Sequence, residues 1–297
     1  MKPVPRSAVL LSAAVLVCAS AASLATLLWR GSFPALRTVS TGNSVLAEAR
    51  GWSAATLLVA MPMSCIALWA ACRGSLRGRL AWIGGLAYFV YTYLEFAVSP
   101  PFTALYLVYV TAFACAIPAL VIGVVSVDLA QVRRAFGDRA PRRSVAISSL
   151  LVAALLAGAW LSGIASRTMA GTFGWPVGEG AVQHVVHALD LGLQVPLGIA
   201  TGVMLLRRSK AGLLVAAVML VNWVCMGAAL AGMAAWASAD SGASAWSVAP
   251  FATFWGIGVV LAVAFFRVPF PRDARCDGQG ASCARPPDDQ AVCRPGE

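Results

Sequence analysis

The stretch AGLLVAAVMLVNWVCMGAALAGM, residues 211–233, contains no charged side chain and a single amide, Asn222. An α-helix of about 20 apolar residues is long enough to cross the ~30 Å hydrocarbon core of a membrane. Seven other runs of similar length and character occur in the chain. In chain order, the eight runs are residues 8–28, 52–72, 80–99, 104–127, 144–164, 186–206, 211–233 and 248–267.

The composition of the whole chain is also typical of an integral membrane protein. Of its 297 residues, 60% are hydrophobic and 11% are charged, which is outside the usual range of soluble domains. Spanning segments must satisfy their own backbone hydrogen bonds, and these runs are too long for the strands of a membrane barrel. We therefore predict an all-α, polytopic bundle of eight transmembrane helices over residues 1–267, followed by a disordered cytoplasmic tail over residues 268–297.

The distribution of lysine and arginine predicts how the bundle lies in the membrane. If the N-terminus is cytoplasmic, 18 of the 22 basic residues fall on the cytoplasmic side, as the positive-inside rule requires. Both termini are then cytoplasmic, and the expected location is a bacterial inner membrane. The net charge of +10 would face anionic lipid headgroups, so the expected partner is the bilayer and not nucleic acid.

Two segments of the sequence resemble each other. They are LLVAMPMSCIALWAACRGSLRGRL at 57–80 and LGLQVPLGIATGVMLLRRSKAGLL at 191–214. In each, a proline in mid-run, Pro62 or Pro196, is followed eleven residues later by an arginine, Arg73 or Arg207. Both runs cross the membrane in the same direction, so the likeness predicts a parallel 4+4 internal repeat. The prolines predict a pair of kinked helices.

Polar residues concentrate in the third and sixth runs. A helix advances 100° per residue, so His187, Asp190 and Gln194 share one face of the sixth run. Both acidic residues inside predicted spans, Glu95 and Asp190, would lie near the outer surface. Buried carboxyl groups are costly in lipid and usually face the interior of a bundle. We predict an outward-facing pocket lined by Glu95, Asp190, His187, Gln194, Tyr88, Tyr91, Tyr106 and Tyr109.

This pocket is compatible with three functions. It could bind a small solute, an ion or a lipid headgroup for transport or sensing, with one carboxyl exchanging a proton. It could be the site of an intramembrane enzyme, with Glu95 and Asp190 as general acid and base on an isoprenoid-like substrate. Alternatively, a carboxyl–histidine pair could tie helices together in an accessory subunit that has no site of its own.

No cofactor or metal is predicted. The sequence contains no phosphate-binding or dinucleotide-binding motif. His184, His187, Asp190 and Glu95 include zinc-ligand residue types, but one helix rarely supplies three ligands. The oligomeric state is not indicated.

Two longer segments are similar to a widespread group of uncharacterised bacterial multi-pass proteins. One is RGSLRGRLAWIGGLAYFVYTYLEFAVSPPFTALYLVYV, in which Phe102 to Tyr109 matches the start of that group's fourth helix. The other is HALDLGLQVPLGIATGVMLLRR, with Asp190, Pro196 and the arginine pair at 207–208. The resemblance implies a bundle of about eight helices and implies that Asp190 belongs to the shared pattern. It implies an aromatic or small residue at the position of Glu95.

Overall fold

The computed structural model describes residues 3–32, 45–98, 102–171, 180–242 and 244–268, and every regular element within them is helical. Eight helices in this part of the chain are long and apolar enough to cross a membrane. We number them 1 to 8: Arg6–Leu28, Val45–Cys72, Leu76–Val98, Tyr106–Val125, Arg142–Met169, Val185–Leu206, Lys210–Ser241 and Trp246–Phe266. The predicted all-α membrane bundle with eight such helices is confirmed. The predicted tail, apart from Val268, lies outside the described residues.

Helices 3 and 7 form the centre of the bundle. Almost every residue of helix 7 between Gly212 and Ala229 is buried, and helix 3 is buried along most of its length. The two helices pack directly against each other. A side chain at Gly84 would collide with Val221, so a glycine is required at this crossing.

The remaining helices surround this pair and expose large apolar side chains outward. Leu58, Leu107, Leu151 and Val260 are each more than half exposed, as residues that face lipid should be. Helices 1 and 4 pack on each other, and helix 8 packs on helix 7. Helix 5 makes its main contacts with helix 6 and is exposed on most of its surface.

Helices 2 and 6 each contain one π-helical turn. In helix 2 the turn is Thr56–Ala60, between Val45–Ala55 and Met61–Cys72. In helix 6 it is Asp190–Gln194, between Gly180–Leu189 and Val195–Leu206. Each turn is followed by a proline at the second position of the next α-helical segment. The two elements are offset by 134 residues along the chain.

The connections after these two helices are also alike. In the first, the amides of Arg73, Gly74 and Ser75 bond to the carbonyls of Trp69, Ala71 and Ala70. At the same offset of 134 residues, the amides of Arg207, Arg208 and Ser209 make the corresponding three bonds. Both turns place their second residue at a positive φ, 83° at Gly74 and 54° at Arg208.

Helix 2 begins earlier than the apolar run suggested. It starts at Val45, not at residue 52, so its first turns contain Glu48 and Arg50. A hydropathy window excludes such residues, although a helix can continue through the polar edge of a bilayer. The Arg50 side chain compensates by donating from Nε to the carbonyl of Thr26 at 3.4 Å.

The turns after helices 2 and 6 lie at one end of the bundle, which we call the arginine-rich end. Here the Arg77 guanidinium donates to the carbonyl of Val268, and Arg79 Nη1 donates to the carbonyl of Ser126 at 3.3 Å. A short helix, Leu129–Phe136, joins helices 4 and 5 and buries Phe136 against Phe265 of helix 8. Asp128 caps it by accepting from the amide of Ala130 at 2.8 Å.

Candidate functional site

Asp190 is the best-ordered polar group of the predicted pocket. It is 8% exposed and is the first residue of the π-helical turn in helix 6. The hydroxyl of Tyr91, from helix 3, donates to Oδ1 at 2.7 Å. The indole Nε1 of Trp160, from helix 5, donates to Oδ2 at 2.9 Å. One carboxyl group therefore joins three helices, and each of its oxygens accepts a hydrogen bond.

The π-helical turn explains why this carboxyl faces inward. A π turn inserts an extra residue into the helix, so side chains before and after it point in different directions than in an uninterrupted α-helix. Pro196 follows the turn and cannot donate a backbone hydrogen bond. Asp190 thus lies where helix 6 changes direction, a position at which small rearrangements of the backbone are least costly.

His187 lies beside this group, one turn earlier on helix 6. Its ring is tilted by 50° against the ring of Trp160, with 4.3 Å between the ring centroids. His187 is also within electrostatic range of Asp190. The predicted neighbourhood of Asp190 and His187 therefore exists, with Trp160 packed between helix 5 and both residues.

Glu95 lies close to the same group but is bonded differently. It is half-buried, lies within electrostatic range of Asp190 and Glu48, and also affects Tyr91. Among the described residues, neither Glu95 nor Asp190 forms an ion pair, and the carboxyl of Glu95 accepts no hydrogen bond. We call Glu48, Glu95 and Asp190 the acidic cluster. It lies at the end of the bundle opposite the arginine-rich end.

Tyr88 is not part of this group. Its hydroxyl lies 2.6 Å from Thr56 Oγ1. Because Thr56 uses its own proton in a bond to the carbonyl of Trp52, Tyr88 is the donor. Thr56 is the first residue of the other π-helical turn. Two tyrosines one turn apart on helix 3 thus donate to the first residues of both π-helical turns, Tyr88 to helix 2 and Tyr91 to helix 6.

The other predicted tyrosines also lie elsewhere. Tyr109 is fully buried and stacks on Tyr93, with ring centroids 6.2 Å apart. Tyr106 is half-buried and contacts Phe102. Helix 4 packs against helix 1 and another face of helix 3, so the start of helix 4 does not reach Asp190. Gln194 ends the π-helical turn and is half-buried, and no hydrogen bond involves its side chain within the described residues.

Sequence reasoning missed Trp160 and Glu48. A tryptophan near the end of a predicted span suggests an interfacial anchor, and Trp160 fits that pattern. The structure extends helix 5 to Met169, so Trp160 lies inside the helix and uses its indole N–H on Asp190. Glu48 appeared to belong to an external loop. An earlier helix start could have been suspected from VLAEARGWSAA, which has good helix formers and no proline.

The chemistry of the site suits a positively charged or protonatable ligand better than an anion. The acidic cluster is negative wherever its members are ionised, and Tyr91 and Trp160 add aromatic faces near it. In the segments that the structure describes, no three histidine, cysteine, aspartate or glutamate side chains converge to hold a metal ion.

Comparisons with known proteins identify no relatives. No protein-family model matches the sequence, and no match was found among curated proteins or among solved structures. The resemblance to the group of bacterial multi-pass proteins therefore stays a prediction.

Proposed function

We propose that this multi-pass membrane protein binds a small solute at the acidic cluster, for transport or for sensing. The observation that carries the proposal is the Asp190 carboxyl, buried in the bundle and held by Tyr91 and Trp160 from two other helices. Ionisable groups inside a membrane are costly, and they commonly mark the path of an ion, a proton or a substrate.

The ligand that fits best is a small cation or a protonatable amine. Glu95 is half-exposed and has no ion pair within the described part of the chain, so it is the group that an arriving cation meets first. Asp190 lies deeper, at the break in helix 6. Transporters place substrates at such helix breaks, near the middle of the bilayer. Binding of a cation would favour the ionised carboxyls and release any proton that they hold.

The proposal includes an orientation and a location. We place the arginine-rich end in the cytoplasm of a bacterial cell, with both termini there, so that the acidic cluster faces outward across the inner membrane. We also propose that helices 1–4 and 5–8 are a parallel duplication. The matching π-helical turns, prolines and connecting turns at a constant offset of 134 residues support it.

Ion flux in sealed vesicles tests the function. Wild-type protein would be reconstituted with a pH-sensitive dye inside the vesicles, and tetraethylammonium would be added outside as a probe cation. We expect the probe to drive proton movement, and we expect Asp190→Asn to reduce the rate by about tenfold or more, equivalent to about 1.4 kcal/mol. Native mass spectrometry of the same preparations would show any ligand retained through purification.

Asp240→Asn is the matched control, because Asp240 is an exposed aspartate near the end of helix 7 that belongs to no cluster. It should behave as the wild type does. Equal fluxes and equal ligand retention in wild type and a folded Asp190→Asn protein would contradict the proposal, and the carboxyl would then serve only to join helices.

A further inference from the structure

A small cavity lies between helices 1, 2 and 3, in the half of the bundle nearer the arginine-rich end. Its polar lining is Ser12, Ser64 and Trp82, and its apolar lining includes Leu86 and Phe89. The centre of a water-sized sphere can move through about 10 Å³ of it. A cavity of about this size holds one water molecule if two or more polar groups face it.

Ser64 supplies a polar group with no partner. The helix serines and threonines Ser12, Thr26, Ser149 and Thr201 each donate to the carbonyl four residues earlier. Ser64 makes no such bond; its hydroxyl is buried without a hydrogen-bond partner, and the residue is 4% exposed. A buried hydroxyl with no partner is costly, so its orientation requires an explanation.

The neighbouring helix shows where the hydroxyl of Ser64 points. Its Oγ fills the space in which Gly85 of helix 3 would carry a Cβ atom. Only a glycine permits this position, and it turns the hydroxyl away from its own helix and toward the cavity that Ser64 lines.

Ser12 offers the second polar group. Its hydroxyl donates to the carbonyl of Ala8 at 2.7 Å and accepts from Nε1 of Trp82 at 3.0 Å. A serine oxygen has two lone pairs, so one remains as an acceptor. Ser64 can both donate and accept. Together they provide the two or more hydrogen bonds that a buried water molecule needs.

We propose that this cavity is a binding site for a single water molecule, which accepts from Ser64 and donates to Ser12, and so bridges helices 2 and 1. No carboxyl group lines the cavity, so the site suits a neutral molecule and not a cation. Helix 1 touches the Met61–Cys72 segment of helix 2 only sparingly. The water therefore supplies the polar link between them there.

X-ray radiolysis of the purified protein tests the site, because hydroxyl radicals formed from a buried water oxidise the side chains that surround it. We expect Trp82 and Phe89 to be oxidised well above the level of lipid-facing residues. Ser64→Ala should lower this oxidation by about fivefold or more, since the water loses one of its two partners. Its melting temperature should fall or stay unchanged, because a satisfied hydroxyl is removed.

Ser149→Ala is the matched control: Ser149 is equally buried, but its hydroxyl donates to the carbonyl of Val145. It should leave the oxidation of Trp82 and Phe89 unchanged. A second variant, Gly85→Ala, should displace the hydroxyl of Ser64 and lower the oxidation as Ser64→Ala does. A dry cavity would give background oxidation in the wild type and a higher melting temperature for Ser64→Ala, and either result would overturn the proposal. Oxidation that persists in Ser64→Ala would also overturn it.

Discussion

Asp190 illustrates how a carboxyl group is accommodated inside a membrane bundle. Its two oxygens accept from Tyr91 and Trp160, so neither is left without a hydrogen bond in an apolar environment. Removal of one donor leaves an acceptor unsatisfied, which costs about 1–3 kcal/mol in buried sites. The cost of each donor can therefore be measured by removing its polar atom while leaving its ring in place.

We predict that Tyr91→Phe lowers the melting temperature by several degrees, because the buried Oδ1 of Asp190 loses its donor. Differential scanning fluorimetry in detergent would measure the shift. In the double variant with Asp190→Asn the effect of Tyr91→Phe should be smaller, since a neutral amide oxygen accepts a weaker bond than a carboxylate does.

Tyr106→Phe is the control for this prediction. Tyr106 is half-buried, and its hydroxyl makes no hydrogen bond within the described residues, so its removal should leave the melting temperature unchanged. If the two phenylalanine variants melt alike, the bond between Tyr91 and Asp190 contributes nothing to stability.

At the scale of single elements, helix 5 is the least supported helix near the site. Its buried residues, Val145, Ala146, Ser149 and Ala153, all lie in its first half, near the arginine-rich end. Beyond Ala153 its attachment to the bundle includes the bond from Trp160 to Asp190 and the ring contact with His187. Segments with few buried contacts open at low free energy, so Trp160 should control the order of this half-helix.

We predict that Trp160→Phe speeds amide hydrogen exchange in residues 155–169 and leaves residues 142–153 nearly unchanged. A bond worth about 1 kcal/mol corresponds to roughly fivefold faster exchange of the amides that open with it. Exchange followed by mass spectrometry on the protein in nanodiscs would resolve the two halves.

Trp246→Phe provides the comparison, since Trp246 is 83% exposed and contacts little of the bundle. If Trp160→Phe exchanges no faster than this control, the second half of helix 5 is held by packing alone.

At the scale of the whole molecule, helices 2 and 7 join the two halves of the proposed duplication. Their closest approach is at Gly51 and Gly232. A Cβ atom on Gly232 would lie 2.6 Å from the carbonyl oxygen of Gly51, and one on Gly51 would collide with the backbone of Gly232 and Met233. Small residues at such crossings let backbones approach closely, which is the main source of attraction between helices in lipid.

We predict that Gly51→Ala destabilises the protein by about 3 kcal/mol or more, at the upper limit of overpacking, because the obstructing atoms belong to the backbone and cannot rotate away. Unfolding in mixed micelles with increasing denaturing detergent would measure it. Gly158→Ala is the control, since nothing lies within 4 Å of the position of its Cβ. It should be neutral or slightly stabilising, as alanine favours helix over glycine.

The orientation of the whole molecule is a separate prediction. Because the arginine-rich end should face the cytoplasm, alkaline phosphatase fused at the C-terminus should be inactive, and a fluorescent protein fused there should fluoresce. Strong phosphatase activity from that fusion would place the acidic cluster on the cytoplasmic side and reverse the proposed direction of access.

The number and the helical nature of the spanning segments could be derived from the sequence alone. Insertion in lipid depends mainly on the summed apolar character of about 20 consecutive residues, and that sum does not depend on how the helices later pack. The common layer of Glu95 and Asp190 also followed, since depth along a helix is a matter of counting residues. The start of helix 2 was misplaced because Glu48 and Arg50 lower the local hydropathy, although the helix continues through them.

Only the tertiary structure decided which side chains meet. Lipid is as apolar as a protein interior, so a helix in a membrane bundle carries no hydrophobic stripe that marks its buried face. The rotation of helix 5 that brings Trp160 to Asp190 left no such signal, nor did the separation of Tyr88 from Tyr91. The π-helical turns were also hidden, because one additional residue in a helical turn changes the direction of side chains without changing composition. The sequence by itself therefore determined that this chain enters a membrane and where its carboxyl groups lie in depth, while backbone packing determined which helices hold them.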